Sequence, residues 1–284
     1  MLARRIFPLR HRADLRALAF LLVLTVLVAV QWLDISRHRY LLLPTYMLAF
    51  AAVVIKHNHN HCLTFAGRGW NAGFELWLSV LTGQPTSGIV TVHNDLHHGH
   101  NNSEKDFVRC SLVRFRWNWL NLIAFPFVSV ATMYRHKISD SKRWRVERPA
   151  LYRQAIMERA VTYLALVCLL VWKWSATLTY CVGPWLFAQW AIVSINLLQH
   201  QDCDFDSRFD HSRNWTGKML NWCLFNNGFH TAHHLYPGAH WSQLPKLHDR
   251  RVARHISPSL IETSLVASVW RRFVTGEDWR GSRK

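Results

Sequence analysis

Four apolar runs, almost free of charge, divide the sequence and limit what it can fold into: 17–33, 40–55, 160–174 and 184–198. They come as two pairs, the first separated by "DISRHR" and the second by "SATLTYCVG". Each run has 15 to 17 residues. That is near the lower limit for a helix that rises about 1.5 Å per residue through a hydrocarbon core about 30 Å thick. Polar residues at the ends can carry such a helix into the headgroups, so the shortness is tolerable. Pro184 after Gly183 suits a helix start, because proline at the first helical position loses no needed hydrogen bond. The expected architecture is an all-α integral membrane protein with two transmembrane helical hairpins, four spans, in a single domain over residues 1–284.

Composition agrees. Half of the 284 residues are hydrophobic and only 18% are charged, below the roughly 25% of ordinary soluble domains. The formal net charge of +17 invites a nucleic-acid reading, but no helix-turn-helix, zinc-finger or RNA-binding motif is visible. The basic residues stand beside the apolar runs, as in loops that face anionic lipid. Arg4, Arg5, Arg10, Arg12 and Arg16 precede the first run against one acid, Asp14, and residues 135–159 hold eight Lys or Arg and three acids. The positive-inside rule then places both termini and the central segment on the cytoplasmic side. Depending on the source, the membrane is the cytoplasmic membrane of a bacterium or the endoplasmic reticulum of a eukaryote.

The uncharged segment 117–134 is long enough to be a span. If it crossed alone, the second hairpin would be inverted. With Asn118, Asn121 and Pro126 inside it, it is expected to lie in the interface with its Trp and Tyr at headgroup level, as is 74–81. No small-x-small cleavage site precedes Trp32, so the first run is expected to remain as a helix. The six cysteines form no C-x-x-C pair and are expected to be ordinary thiols.

Histidine is distributed unevenly. Of 18 histidines, 11 fall in the windows 57–61, 93–100 and 230–240, which together cover 24 residues. In "HNHNH", His57 and His61 stand at i,i+4, where two imidazoles share a helix face and can chelate one metal. His59 points away and reads as a spacer. In "HNDLHHGHNN", His93 and His97 repeat the spacing, and His98 is turned by about 100° from His97. "HTAHH" does the same with His230, His233 and His234. Diverging neighbours suit two ions better than one. A fourth element, "NLLQH", puts Asn196 and His200 at i,i+4 at the end of the last apolar run.

Other histidines read more plainly. His11, His38, His136, His211 and His255 are expected to be surface residues, and His100, His240 and His248 to support the ligands at most. Asp95, Glu104 and Asp106 are candidates to orient ligating imidazoles.

With these residues laid out, the chain resembles the membrane fatty acid desaturase and hydroxylase superfamily, the histidine-box di-iron enzymes, over roughly residues 40 to 250. His57/His61 read as H-x-x-x-H, His93/His97/His98 as H-x-x-x-H-H, and His230/His233/His234 as H-x-x-H-H followed by "LYPGAHWSQLP". Asn196 and His200 look like the family's N-x-x-x-H element. The resemblance implies a cytosolic histidine-rich cap holding two iron ions, with O2 as co-substrate. Its metal ligands would be His57, His61, His93, His97, His98, Asn196, His200, His230, His233 and His234. Nothing resembles a fused cytochrome b5 domain, and no cysteine run suits an iron–sulfur cluster. A separate electron donor, ferredoxin-like or cytochrome b5-like, is therefore implied.

The implied activity is desaturation of a fatty acyl (lipid) chain. The alternative is a hydroxylase or ketolase of the same superfamily acting on an acyl chain, alkane or carotenoid. A metal transporter is disfavoured: apart from Lys173 at the end of the third, the four runs carry no charged side chain to line a path. Trp70, Trp222, Phe225 and Trp241 are candidates to line an acyl channel, although Trp more often anchors at the interface.

Overall fold

A computed structural model describes residues 8–34 and 39–276, with the backbone alone at 135–142. Arg4, Arg5, Arg37 and His38 lie outside the described residues, as does the side chain of His136. Helices dominate. The first are α1 (Asp14–Leu33), α2 (Leu42–His61), α3 (Arg68–Thr82) and the short α4 (His98–His100), which ends a π-helical stretch, Val90–His97. Next come the long α5 (Asn118–Glu147), α6 (Pro149–Thr177) and α7 (Gly183–His200). Four short helices complete the order: α8 (Lys218–Cys223), α9 (His230–Leu235), α10 (Leu244–Leu247) and α11 (Leu265–Val269). Among the described residues the all-α expectation meets two small exceptions, a two-residue parallel pairing of β1 (Asn214–Trp215) with β2 (Ile261–Glu262) and an isolated antiparallel bridge between Leu9 and Phe65. The chain sorts into two compact units, Met1–Ile89 with Arg143–Gln189, and Val90–Lys142 with Trp190–Lys284.

In the first unit, Ala17, Leu21 and Leu24 of α1 recur at helical spacing and are buried, while Leu22, Val23, Val26 and Val30 are exposed. Exposed apolar surface on this scale needs an apolar surrounding. Several polar groups between these helices are paired, as burial favours. Thr45 donates to Gln31 at 2.8 Å, the Trp32 indole N–H to Thr177 Oγ1 at 2.8 Å, and the Trp77 N–H to Thr25 Oγ1 at 3.1 Å. Buried Lys56 donates to the Gln84 carbonyl at 2.7 Å, and buried Glu158 accepts from both the Ser87 N–H and its hydroxyl. Trp70 lines an apolar groove of about 540 Å³ with Leu18, Phe65, Gly69, Gly73, Phe74 and Trp77.

Three helical stretches among the described residues are long and apolar enough to cross a membrane: Asp14–Leu33, Arg39–His61 and Pro149–His200. The last combines the two runs expected as a hairpin. The expected link, 175–183, is itself largely helical, and the break comes earlier, at Lys173 (φ −144°, ψ 75°). No Gly or Pro interrupts the chain before Gly183, so local sequence does not place the break. Tertiary bonding supports it: the Thr177 hydroxyl lies 2.9 Å from both the Leu169 and Lys173 carbonyls while accepting from Trp32.

The second unit holds most of the histidines. Helix α5 extends beyond the expected segment, because no helix breaker follows Tyr134 until Pro149. Asn118 and Asn121, buried near its start, are satisfied: Asn121 accepts from the Phe115 N–H at 2.7 Å, and Asn118 donates to the Arg272 carbonyl at 3.0 Å. The segment expected at 74–81 lies within α3, which Gly83 ends at φ +70°.

Candidate metal centre

Two elements of the second unit fix the first group of imidazoles. Helix α7 ends at His200, whose Nδ1 donates to the His211 carbonyl at 3.0 Å and so leaves Nε2 facing inward. The π-helical stretch ends at His97, whose Nδ1 lies 2.8 Å from Asp106 Oδ2 with both side chains buried. Asp106 also accepts from the N–H groups of Asn102 and Val108, each at 2.9 Å. Burial alone would raise the Asp106 carboxyl, but its bond to His97, the His97 charge and the two amides outweigh this and hold it below the ordinary value. A carboxylate behind an imidazole is the arrangement that fixes the tautomer of a metal ligand.

Helix α9 supplies the rest. Its first turn is held by Asn214, which donates to Thr231 Oγ1 at 2.7 Å and accepts from the Thr231 N–H at 3.1 Å. Gly228 precedes the helix because a Cβ there would lie 2.2 Å from the Trp215 carbonyl oxygen and 2.7 Å from Asn221 Oδ1. His230 and His234 then face His200 and His97. The four residues place one nitrogen each within 4.8 Å of one another.

The spacing within this group is that of ligands. His230 Nε2 lies 2.9 Å from His200 Nε2 and 3.1 Å from His234 Nε2. Two imidazole nitrogens bound at right angles to one ion, each about 2.1 Å away, stand about 3.0 Å apart. Moreover, His97 Nε2 is buried without a hydrogen-bond partner, a costly state that an ion would relieve. His234 is held neutral well below the ordinary histidine value by burial, then by the neighbouring His98, His230, His200 and His97. Its lone pair is therefore free to bind a metal at neutral pH.

A second group converges beside the first. His98 Nε2 lies 3.0 Å from His233 Nε2 and 3.2 Å from His93 Nε2. The neighbours 97/98 and 233/234 are thus divided, one of each pair to each group. The donor set is imidazole. Burial pushes the Cys110 thiol well up and the Cys203 thiol to about 11, so neither offers a thiolate. Residues of these types fit iron.

The remaining candidates are placed as follows. His57 and His61, in the first unit, stand one turn apart on α2 with rings 5.0 Å apart. His59 is buried against Thr64 (3.0 Å) and Glu75 (3.3 Å), away from that pair. Asn196, one turn before His200, donates to the Val108 carbonyl at 2.9 Å. Glu104 is exposed. His240 accepts from the Ser242 N–H, and His248 packs on Phe229. Phe225 meets Trp241 edge-on at 5.3 Å, whereas Trp222 is exposed.

His211 is a correction. Expected on the surface, it is buried, its carbonyl anchors His200, and its ring lies 5.3 Å from that of His234. Nothing in its local sequence signals this, since it stands 11 residues from His200 and 23 from His234. His255 is exposed, as expected, and stacks on Phe209 at 4.8 Å.

No curated protein matches the chain. The family model described as "Fatty acid desaturase" matches residues 37–261, a span that includes every histidine of both groups and the pair on α2. The chain belongs to the fatty acid desaturase family.

Proposed function

We propose that the chain is an O2-dependent desaturase of fatty acyl chains, working with two non-haem iron ions at a membrane surface. The observation that carries this reading is the sorting of seven histidines of one unit into two adjacent groups with converging nitrogens. His97, His200, His230 and His234 would hold one ion, and His93, His98 and His233 belong to the other. His57, His61 and Asn196 complete the proposed ligand set on the strength of their i,i+4 spacing.

Bound iron would activate O2, the oxidant, so that hydrogen can be removed from an unactivated C–H bond. The chain's own residues do the rest. Asp106 and the His211 carbonyl keep protons on the Nδ1 atoms of His97 and His200, so that both Nε2 atoms face inward. Burial, with the neighbouring imidazoles, keeps His234 neutral. The reaction takes two hydrogens from the acyl chain and two electrons and two protons from outside, leaving a double bond and reducing O2 to two waters. The electrons come from a separate ferredoxin-like or cytochrome b5-like protein, which the excess of basic residues would steer if it is acidic.

The helical stretch Pro149–His200 has 52 residues. As one helix it would measure about 78 Å, more than twice a hydrocarbon core of about 30 Å. Broken at Lys173, we read it as two passes, which makes four spans in one desaturase domain with both termini and the histidines on the cytoplasmic side.

The test is mass spectrometry of host lipids with and without expression, with a His97→Ala chain as control. Acyl chains lighter by two hydrogens, absent with the variant, are expected. Chains heavier by one oxygen would replace desaturation by hydroxylation, and unchanged lipids would contradict both.

A further inference from the structure

A helix leaves its last carbonyls without partners, and α7 ends in protein at the residue that carries His200. Its final turn is closed from three directions. The Gln201 N–H returns to the Leu197 carbonyl at 2.9 Å, and Asp202 follows in the left-handed region at φ +60°. The Arg213 N–H takes the Gln199 carbonyl at 2.7 Å. The Arg272 guanidinium takes the Gln201 carbonyl at 2.8 Å and the Leu198 carbonyl at 3.4 Å, and pairs with Asp202 at 3.1 Å.

Arg272 is itself only 2% exposed. Its carbonyl accepts from Asn118 Nδ2, and Asn118 Oδ1 accepts from Gln201 Nε2 at 2.7 Å. One residue therefore ties the start of α5, the end of α7 and the C-terminal segment together. It lies beyond residue 261, where the match to the family ends. A buried cation at a helix C-terminus also meets the favourable end of the helix dipole. Only arginine offers a planar fork that can serve two carbonyls and a carboxylate at once.

We propose that Arg272 is a positioning residue for the metal centre, capping α7 so that His200 Nε2 is held against His230. The proposal rests on the di-iron reading above. Its neighbour Arg271 supplies the control: it is partly exposed and pairs with Glu262 at 2.6 Å instead.

The experiment measures iron per folded chain in detergent-purified wild type, Arg272→Met and Arg271→Ala, with gel filtration and melting to confirm folding. Wild type and Arg271→Ala are expected to hold about two irons. Arg272→Met is expected to fall towards one, with the iron of the His97/His200/His230/His234 group lost from the Mössbauer spectrum. Two irons in folded Arg272→Met would overturn the proposal, as would equal losses in both variants. Should Arg272→Met not fold, Arg272→Lys keeps the charge and loses the fork. A chelator should then strip its iron on the order of 10-fold faster than from wild type, and an unchanged rate would overturn the proposal. Wild type without iron would instead sink the di-iron reading itself.

Discussion

Asp106→Asn removes one charge and changes almost no volume, which makes it a sharp probe of the metal centre. Asp106 is fully buried and accepts three hydrogen bonds, from His97 Nδ1 and the Asn102 N–H at Oδ2 and from the Val108 N–H at Oδ1. An asparagine amide cannot serve all three. Turned one way it faces the Val108 N–H with its own NH2; turned the other way it faces two donors. A buried donor left unpaired costs about 1–3 kcal/mol of stability. The bond that survives to His97 runs to a neutral oxygen, at roughly half the strength of one to a carboxylate. Losing such a partner behind a ligating imidazole weakens metal binding about 10–100-fold, or about 1.4–2.7 kcal/mol.

The assay is chelator competition for iron on purified wild type and variant, with melting in parallel. The pH profile adds a second check. The Asp106 carboxyl is depressed below its ordinary value of 3.8, so its contribution is fully present above that value and is lost as pH falls through the depressed folded value. The stability gap between wild type and Asp106→Asn is expected to stay level from about pH 8 to about pH 5 and to close only in stronger acid. Equal iron affinities, or a gap that changes mainly between about pH 6 and 7, would refute the reasoning.

Three further outcomes are expected. The metal-free protein should lose stability as pH falls below 6.5, because His234 and His211 are held neutral, chiefly by burial, while the unfolded chain takes up protons there; a melting temperature level from about pH 8 to 5 would contradict this. His59→Asn should keep about two irons while losing about 1–2 kcal/mol with the Thr64 and Glu75 contacts, and iron loss would show His59 to be a ligand. Gly228→Ala should cost about 1–3 kcal/mol or more, since its Cβ would run into the Trp215 carbonyl and Asn221; unchanged melting and iron content would contradict the close approach.

Much of this was legible in the sequence where the cause is local. Apolar runs marked the long helices, and a rotation of about 100° per residue explains why His233 and His234 on α9 fall in different groups. The i,i+4 pairing read for His93 and His97 is corrected: the stretch up to His97 is π-helical, and it groups His93 with His98 instead. Contacts that depend on distant residues were not legible. His200 is anchored by His211 across a loop, α9 by Asn214, and the end of α7 by Arg272, 71 residues beyond Gln201. The break at Lys173 is of the same kind, since Trp32 and Thr177 meet across 145 residues where no Gly or Pro marks a turn. Among three acids that sequence could not rank, Asp106 is distinguished by the fold that buries it behind His97.

The most direct test of the account is iron stoichiometry of the freshly purified, full-length protein, by elemental analysis with zinc measured alongside and with His97→Ala and His98→Ala for comparison. About two irons per chain is expected, falling towards one in each variant, because each removes a ligand from a different group. One iron or none after iron-supplemented expression, or zinc retained in its place, would contradict a di-iron centre.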